Sequence, residues 1–154
     1  MLRRLLIFLF AAMWTDGARA VNNNNMDTST FKKSLAELSK DLLYSSESDY
    51  PFEILDWGKK DAASLKGMMA AWPAPVEKVV FADFFNRYIQ KQEQSGDDAM
   101  KAGGERFRKL QSFIANNSAD VAVWRSGRIE VGIHIIITAK DGQVLVLRTI
   151  SVET

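Results

Sequence analysis

The sequence predicts an α+β domain, a mainly antiparallel sheet covered by helices. Three observations carry this. The last third, "VAVWRSGRIEVGIHIIITAKDGQVLVLRTISVET", reads as three strands parted by Ser126-Gly127 and Asp141-Gly142, both short-hairpin turn chemistry. Phe31, Leu35, Leu38 and Leu42 recur at steps of four, three and four, which is one face of a helix. Phe107, Leu110, Phe113 and Ile114 form a second such face within Met100 to Asn116. The three last strands then form an antiparallel meander packed against helices.

The remaining elements follow in order. Ser29 or Thr30 is the expected cap of the first helix, with Lys32, Lys33, Glu37 and Lys40 on its wet side. Ser45-Ser46 ends it. Pro51 biases Tyr50 to an extended backbone, and Phe52 to Trp57 has strand composition. Asp61 to Ala71 reads as a short helix, weakened by Gly67 and ended by Pro73 and Pro75. "VEKVVF" is an extended segment. Asp83 is the expected cap of a helical turn burying Phe84, Phe85 and Tyr88, and "QKQEQSGDD" reads as a solvated loop. In the final meander Ile129, Val131, Ile133, Ile135 and Ile137 share one face, expected to be the core side.

Composition narrows the function classes. A chain of 154 residues with 47% apolar and 25% charged residues fits one globular domain. The net charge of +1 provides no overall field for nucleic acid or an acidic membrane. The absence of cysteine excludes disulfides, zinc–thiolate sites and thiol nucleophiles.

The start of the chain reads as a secretory signal peptide over residues 1–20. "MLRR" is a basic n-region, "LLIFLFAAMW" a ten-residue apolar run too short to span a bilayer, and Ala18-Arg19-Ala20 a cleavage pattern before Val21. The expected location is therefore secreted or extracytoplasmic, with no membrane attachment once the leader is removed. The alternative is translation from Met26 and a cytoplasmic protein. Removing residues 1–20 takes out Arg3, Arg4, Arg19 and Asp16, leaving 17 basic and 18 acidic residues and a net charge of −1. Residues 21–29 read as a flexible tether, and residues 30–154 as the single folded domain. Asn116-Asn117-Ser118 is a glycosylation sequon, usable only in a eukaryotic secretory path.

Catalytic chemistry finds little support. The lone histidine, His134, lies mid-strand opposite the isoleucine face, with no spacing around it that marks a triad; a surface or satisfied histidine is the better reading. No phosphate-cradling glycine loop is present. Glu47, Asp49 and Glu53 lack the ligand spacing of a calcium loop. Glu47 and Asp49 as a glycosidase-like acid pair stay open at this point. Arg106, Arg108 and Lys109 around Phe107 read as the wet face of a helix rather than a nucleic-acid site.

"LLYSSESDYPFEILDWG" (Leu42 to Gly58) closely resembles the signature segment of the nuclease A inhibitor family, with its S-E-S-acid-Y-P-F-E run before an apolar strand. "DFFNR" from Asp83, the helix with "RFRKLQSFIANN" and the terminal "TISVET" are similar to further family segments, in the same order over about residues 30–154. The resemblance implies an α/β/α sandwich. It also implies a protein that needs no cofactor, does not act as an enzyme, and binds no nucleic acid directly. The implied activity is to plug the active site of a metal-dependent, sugar-non-specific DNA/RNA nuclease. By the resemblance, Glu47 projects toward the nuclease's metal centre and Thr154 reaches the partner's metal in trans; Asp49 is a weaker, rim-like partner contact. A terminal Thr offers hard oxygen ligands suited to magnesium, and a carboxylate can stand in for a substrate phosphate. The free protein is expected to be a monomer. The family's Asp-Trp pair after the Phe-Phe helix has no counterpart in "QKQEQSGDDAM", which carries Asp97 and Asp98 but no Trp. The alternative is a non-inhibitory binding module of the same fold with another protein partner or ligand.

Overall fold

The computed structural model describes residues 26–154. The leader over 1–20 and residues 21–25 of the expected tether lie outside the described residues. The chain forms α1 (Thr28–Ser39), β1 (Leu43–Ser45), β2 (Asp49–Pro51), β3 (Glu53–Lys59), α2 (Ala62–Met69), β4 (Val76–Val79), α3 (Phe81–Glu93), α4 (Asp98–Asn117), β5 (Ser118–Ser126), β6 (Glu130–Ala139) and β7 (Gln143–Val152). Five strands make one antiparallel sheet in the order β3-β7-β6-β5-β4, and β1 and β2 form a separate hairpin. The α+β class read from the sequence is the fold.

Both faces of the sheet are covered, which makes three layers. On one face Val123, Ile133, Ile135, Ile137, Leu145 and Leu147 pack with Phe31 and Leu35 of α1, Phe84, Phe85 and Ile89 of α3, and Phe107, Leu110 and Ile114 of α4. On the other, Ile136, Val144 and Val146 meet Leu65 and Met69 of α2 with Trp57, Trp72 and Trp124. Burying each large apolar side chain favours the fold by about 1.5–3 kcal/mol, so these two clusters account for most of the cohesion. A strand covered on both sides reads as a continuous apolar run, which is why β6 contains "IHIII".

Several boundaries differ from expectation for identifiable reasons. Asp27, not Ser29 or Thr30, caps α1: its carboxylate accepts the Thr30 amide at 2.6 Å, so α1 takes in Thr28 and Ser29 from the segment read as tether. The helix ends at Ser39, whose hydroxyl donates to the Leu35 carbonyl at 2.8 Å. Asp41 then turns with φ of 56°, and Leu42 enters the core from outside the helix. Asp83 does not cap α3; Val80 occupies the cap without a side-chain bond, and Asp83 sits in the first turn, where its charge suits the helix dipole. The expected loop "QKQE" is helical and buries Gln92. Gly104 of α4 permits this, since a Cβ there would come 3.3 Å from the Gln92 Cβ. Asp97 caps α4 through the amides of Ala99 and Met100.

One face assignment and one reading of exposure are corrected. Val131, Ile133, Ile135 and Ile137 are core as expected, but Ile129 precedes β6, lies in the β5–β6 turn and is 65% exposed. His134 does oppose that face, but it is neither at the surface nor satisfied: it is buried, with Trp72 stacked on it at 4.0 Å and 13°, and its Nδ1 has no hydrogen-bond partner among the described residues.

Candidate functional site

The hairpin of β1 and β2 is built by its aromatic residues. Tyr44 stacks on Tyr88 at 4.6 Å and lies edge-on to Phe52, while Phe52 reaches Phe107. The Tyr88 hydroxyl accepts the Ser45 amide at 2.8 Å. Register pairs Ser45 with Asp49, leaving Ser46, Glu47 and Ser48 as a three-residue tip. The Ser46 amide donates to the Ser48 carbonyl across it.

The tip is fastened to the end of β7. The Ser46 hydroxyl accepts the Val152 amide at 2.9 Å, and the Glu47 amide donates to the Val152 carbonyl at 3.4 Å. On β2's flank, the Thr149 hydroxyl donates to the Pro51 carbonyl at 3.0 Å. The chain end is held from its other side too. The Glu153 amide donates to the Ile129 carbonyl at 2.9 Å, and its carboxylate pairs with Arg125 and accepts the Ser151 hydroxyl. Gly127 makes that neighbouring turn possible: its φ is 104°, and a Cβ would come within 2.6 Å of the Glu130 carbonyl oxygen.

Fixed in this way, Glu47 and Thr154 meet. One Glu47 carboxylate oxygen accepts the Thr154 amide at 3.0 Å and the Thr154 hydroxyl at 2.6 Å. Both residues are exposed. The hydroxyl and then the amide of Thr154 hold the Glu47 carboxyl below the usual carboxylate range, so it is ionised at neutral pH. The arrangement presents a carboxylate and a hydroxyl side by side at the surface, both hard oxygen donors.

The other sequence candidates separate from this pair. Asp49 is exposed beside the tip, in the closing pair with Ser45, and makes no bond to Glu47 or Thr154. Glu53 lies on β3 in an ion pair with Arg148 at 2.9 Å. Arg106 donates to the carbonyls of Lys40 and Asp41, closing the turn after α1, and Arg108 pairs with Glu93. Asp97 is occupied by its capping bonds. Ser118 of the sequon donates to the Ile114 carbonyl at 2.6 Å, while Asn116 is exposed.

Beside the Glu47–Thr154 pair lies a cleft of about 420 Å³, lined by Tyr44, Phe84, Arg87, Lys91 and Arg125 among others. Sequence reasoning missed this cleft and the Arg125–Glu153 tie, since both depend on β5, α3 and the chain end converging. Among the described residues, no three His, Cys, Asp or Glu side chains gather as a metal site, and no helix is long and apolar enough to cross a membrane.

No curated protein matches the chain. A model of the nuclease A inhibitor-like protein family matches residues 29–154, from the second residue of α1 to the last residue. The match takes in the hairpin, the sheet and the Glu47–Thr154 pair together, and the chain belongs to the nuclease A inhibitor-like family.

Proposed function

We propose that this protein inhibits a metal-dependent, non-specific DNA/RNA nuclease by setting Glu47 and Thr154 into the partner's active site. Family membership supports a nuclease as the partner in general terms. The single observation that carries the finer reading is the double bond from Thr154 to Glu47, at 3.0 and 2.6 Å. Two oxygen-bearing residues far apart in sequence are preassembled at one exposed point. A rigid, pre-ordered contact loses less entropy on binding than a mobile one. In this reading the Glu47 carboxylate faces the partner's cationic residues as a phosphate would, and Thr154 offers oxygen to the partner's metal. The remaining ligands come from the nuclease. Asp49 contacts the rim. The chemistry is occupation of a site, with no reaction of its own.

Inhibition assays against a panel of magnesium-dependent nucleases test this. Wild type inhibits at least one, and Glu47→Ala loses that inhibition with the fold intact. Unchanged inhibition by Glu47→Ala rules the mechanism out.

A second reading is favoured by one observation. The loop between α3 and α4 carries no Trp, and its Asp97 is engaged in capping α4. A central aromatic anchor is the usual source of interface affinity. The fold would then serve a different protein partner, and the same panel would show no inhibition.

We also propose that the chain is exported, on the strength of its leader composition, and acts outside the cytoplasm.

A further inference from the structure

We propose that the cleft beside Glu47 and Thr154 receives an acidic segment of the protein partner, through Arg87 and Lys91 of α3. This rests on the inhibitory reading for the identity of the partner, but not for the chemistry of the cleft.

Arg87 and Lys91 are four residues apart on α3, both exposed and both lining the cleft. Lys91 lies in the last turn of α3, where its charge suits the helix dipole, so the proposal rests on where the two side chains lie rather than on their presence in the helix. Among the described residues neither has a carboxylate within ion-pairing distance. Glu47, Glu153 and the terminal carboxylate of Thr154 share the cleft lining, none of them within ion-pairing distance of Arg87 or Lys91. Glu47 is held by Thr154, Glu153 by Arg125 and Ser151, and Glu93 by Arg108. The cleft therefore presents two cations without ion-pair partners, on a wall of mixed polarity that includes Val79, Phe84 and Tyr44.

The face is thus bipolar. The Glu47–Thr154 rim calls for a cationic or metal-bearing surface, and the cleft next to it calls for carboxylates. Complementary charge of this kind fixes orientation and rejects wrong partners. A partner that meets both must carry acids beside its basic, metal-holding site.

Two measurements on the full chain test this. The first follows the amides of residues 87–91 by NMR during titration with a short glutamate peptide. Wild type shows saturable shifts there, and the Arg87→Glu/Lys91→Glu double variant does not. No shifts in wild type, or equal shifts in the variant, overturn the cleft assignment. The second measures Kd for a nuclease that the protein inhibits. The double variant binds at least about tenfold more weakly, with an unchanged Tm showing that the fold is intact. Unchanged Kd overturns the proposal. Loss of inhibition in Glu47→Ala with peptide shifts retained separates the two halves of the face. Full inhibition by Glu47→Ala with the peptide shifts intact sinks the plug and leaves the cleft standing.

Discussion

The hydroxyl of Ser46 accepts the amide of Val152 at 2.9 Å and joins the hairpin tip to the last residue of the final strand. With the Glu47 amide bonded to the Val152 carbonyl, that join is one of two ties between the tip and β7. It sets the height of the tip against the chain end and leaves Thr154 within reach.

Ser46→Ala removes this acceptor and the hydroxyl's own bond to the Ser48 carbonyl. A typical hydrogen bond is worth about 1 kcal/mol net, so thermal melting should show a small loss of stability. Inhibition should weaken by roughly three- to tenfold, because the tip loosens while Glu47 itself remains. A Ki equal to wild type would mean that the tip is held well enough without this bond.

His134 gives the stability a pH dependence. Burial is the main reason its pKa falls from 6.5 to about 4, with the Arg148 charge beside it acting the same way. Glu53, paired to Arg148, opposes this in part. The unfolded chain then binds a proton between pH 6.5 and about 4 that the folded chain does not, so stability falls as pH drops through that window. The full displacement is worth at most about 3 kcal/mol. Urea unfolding at pH 7 and pH 5 should show the loss in wild type and a much smaller one in His134→Phe, which keeps the stack on Trp72.

The Glu47 carboxyl has the opposite sign from an ordinary buried acid. Its pKa is lowered by the Thr154 hydroxyl and then by the Thr154 amide, so the contact is present above the unfolded carboxyl range and is lost as pH falls through the lowered folded value. The Thr154 amide resonance should report that titration. In Thr154→Ala the midpoint should move back up, since the larger of the two lowering bonds is gone. An unmoved midpoint would show that the hydroxyl bond is not formed in solution.

Gly127→Ala tests the other support of the chain end. A Cβ at 2.6 Å from the Glu130 carbonyl oxygen, on a backbone with φ of 104°, cannot be fitted without moving the turn. A destabilisation of about 1–3 kcal/mol is expected, measured as a lower urea midpoint. The Ile129 carbonyl that holds Glu153 should shift with the turn.

The layered fold was legible because its signals are local. The helical spacing from Phe31 to Leu38 and from Phe107 to Ile114, and the two glycine turns of the meander, each depend on neighbours in sequence. The misreadings came where tertiary structure decides. Ile129 matches the alternation of β6 but stands before the first paired residue, Glu130, so the pattern outran the strand. His134 falls on what alternation calls the outer face, and the cover it receives, with Trp72 stacked on it from beyond α2, comes from residues distant in sequence. Of the site, the resemblance identified Glu47 and Thr154 separately. Their meeting was not legible, because it needs β3 paired to β7 and the hairpin tip docked on Val152. Lys91 falls in the segment read as a solvated loop and Arg87 carries no signal of its own, because the cleft they line forms only where α3 meets the hairpin and the chain end.

Export has a direct readout. The protein recovered from outside the cytoplasm should have an intact mass beginning at Val21, as the Ala18-Arg19-Ala20 pattern predicts. A chain starting at Met26 and retained inside the cell would contradict the leader.

The central claim is that Glu47 and Thr154 act as one preassembled contact in a nuclease's metal site. The most direct measurement is the Ki for a susceptible magnesium-dependent nuclease, taken for wild type, Glu47→Ala and a variant with one glycine added after Thr154. Both variants should melt close to wild type, since both residues are exposed. Both should lose at least about a hundredfold in Ki, the scale at which a hot-spot contact fails. Full inhibition by the extended chain and by Glu47→Ala would contradict the account.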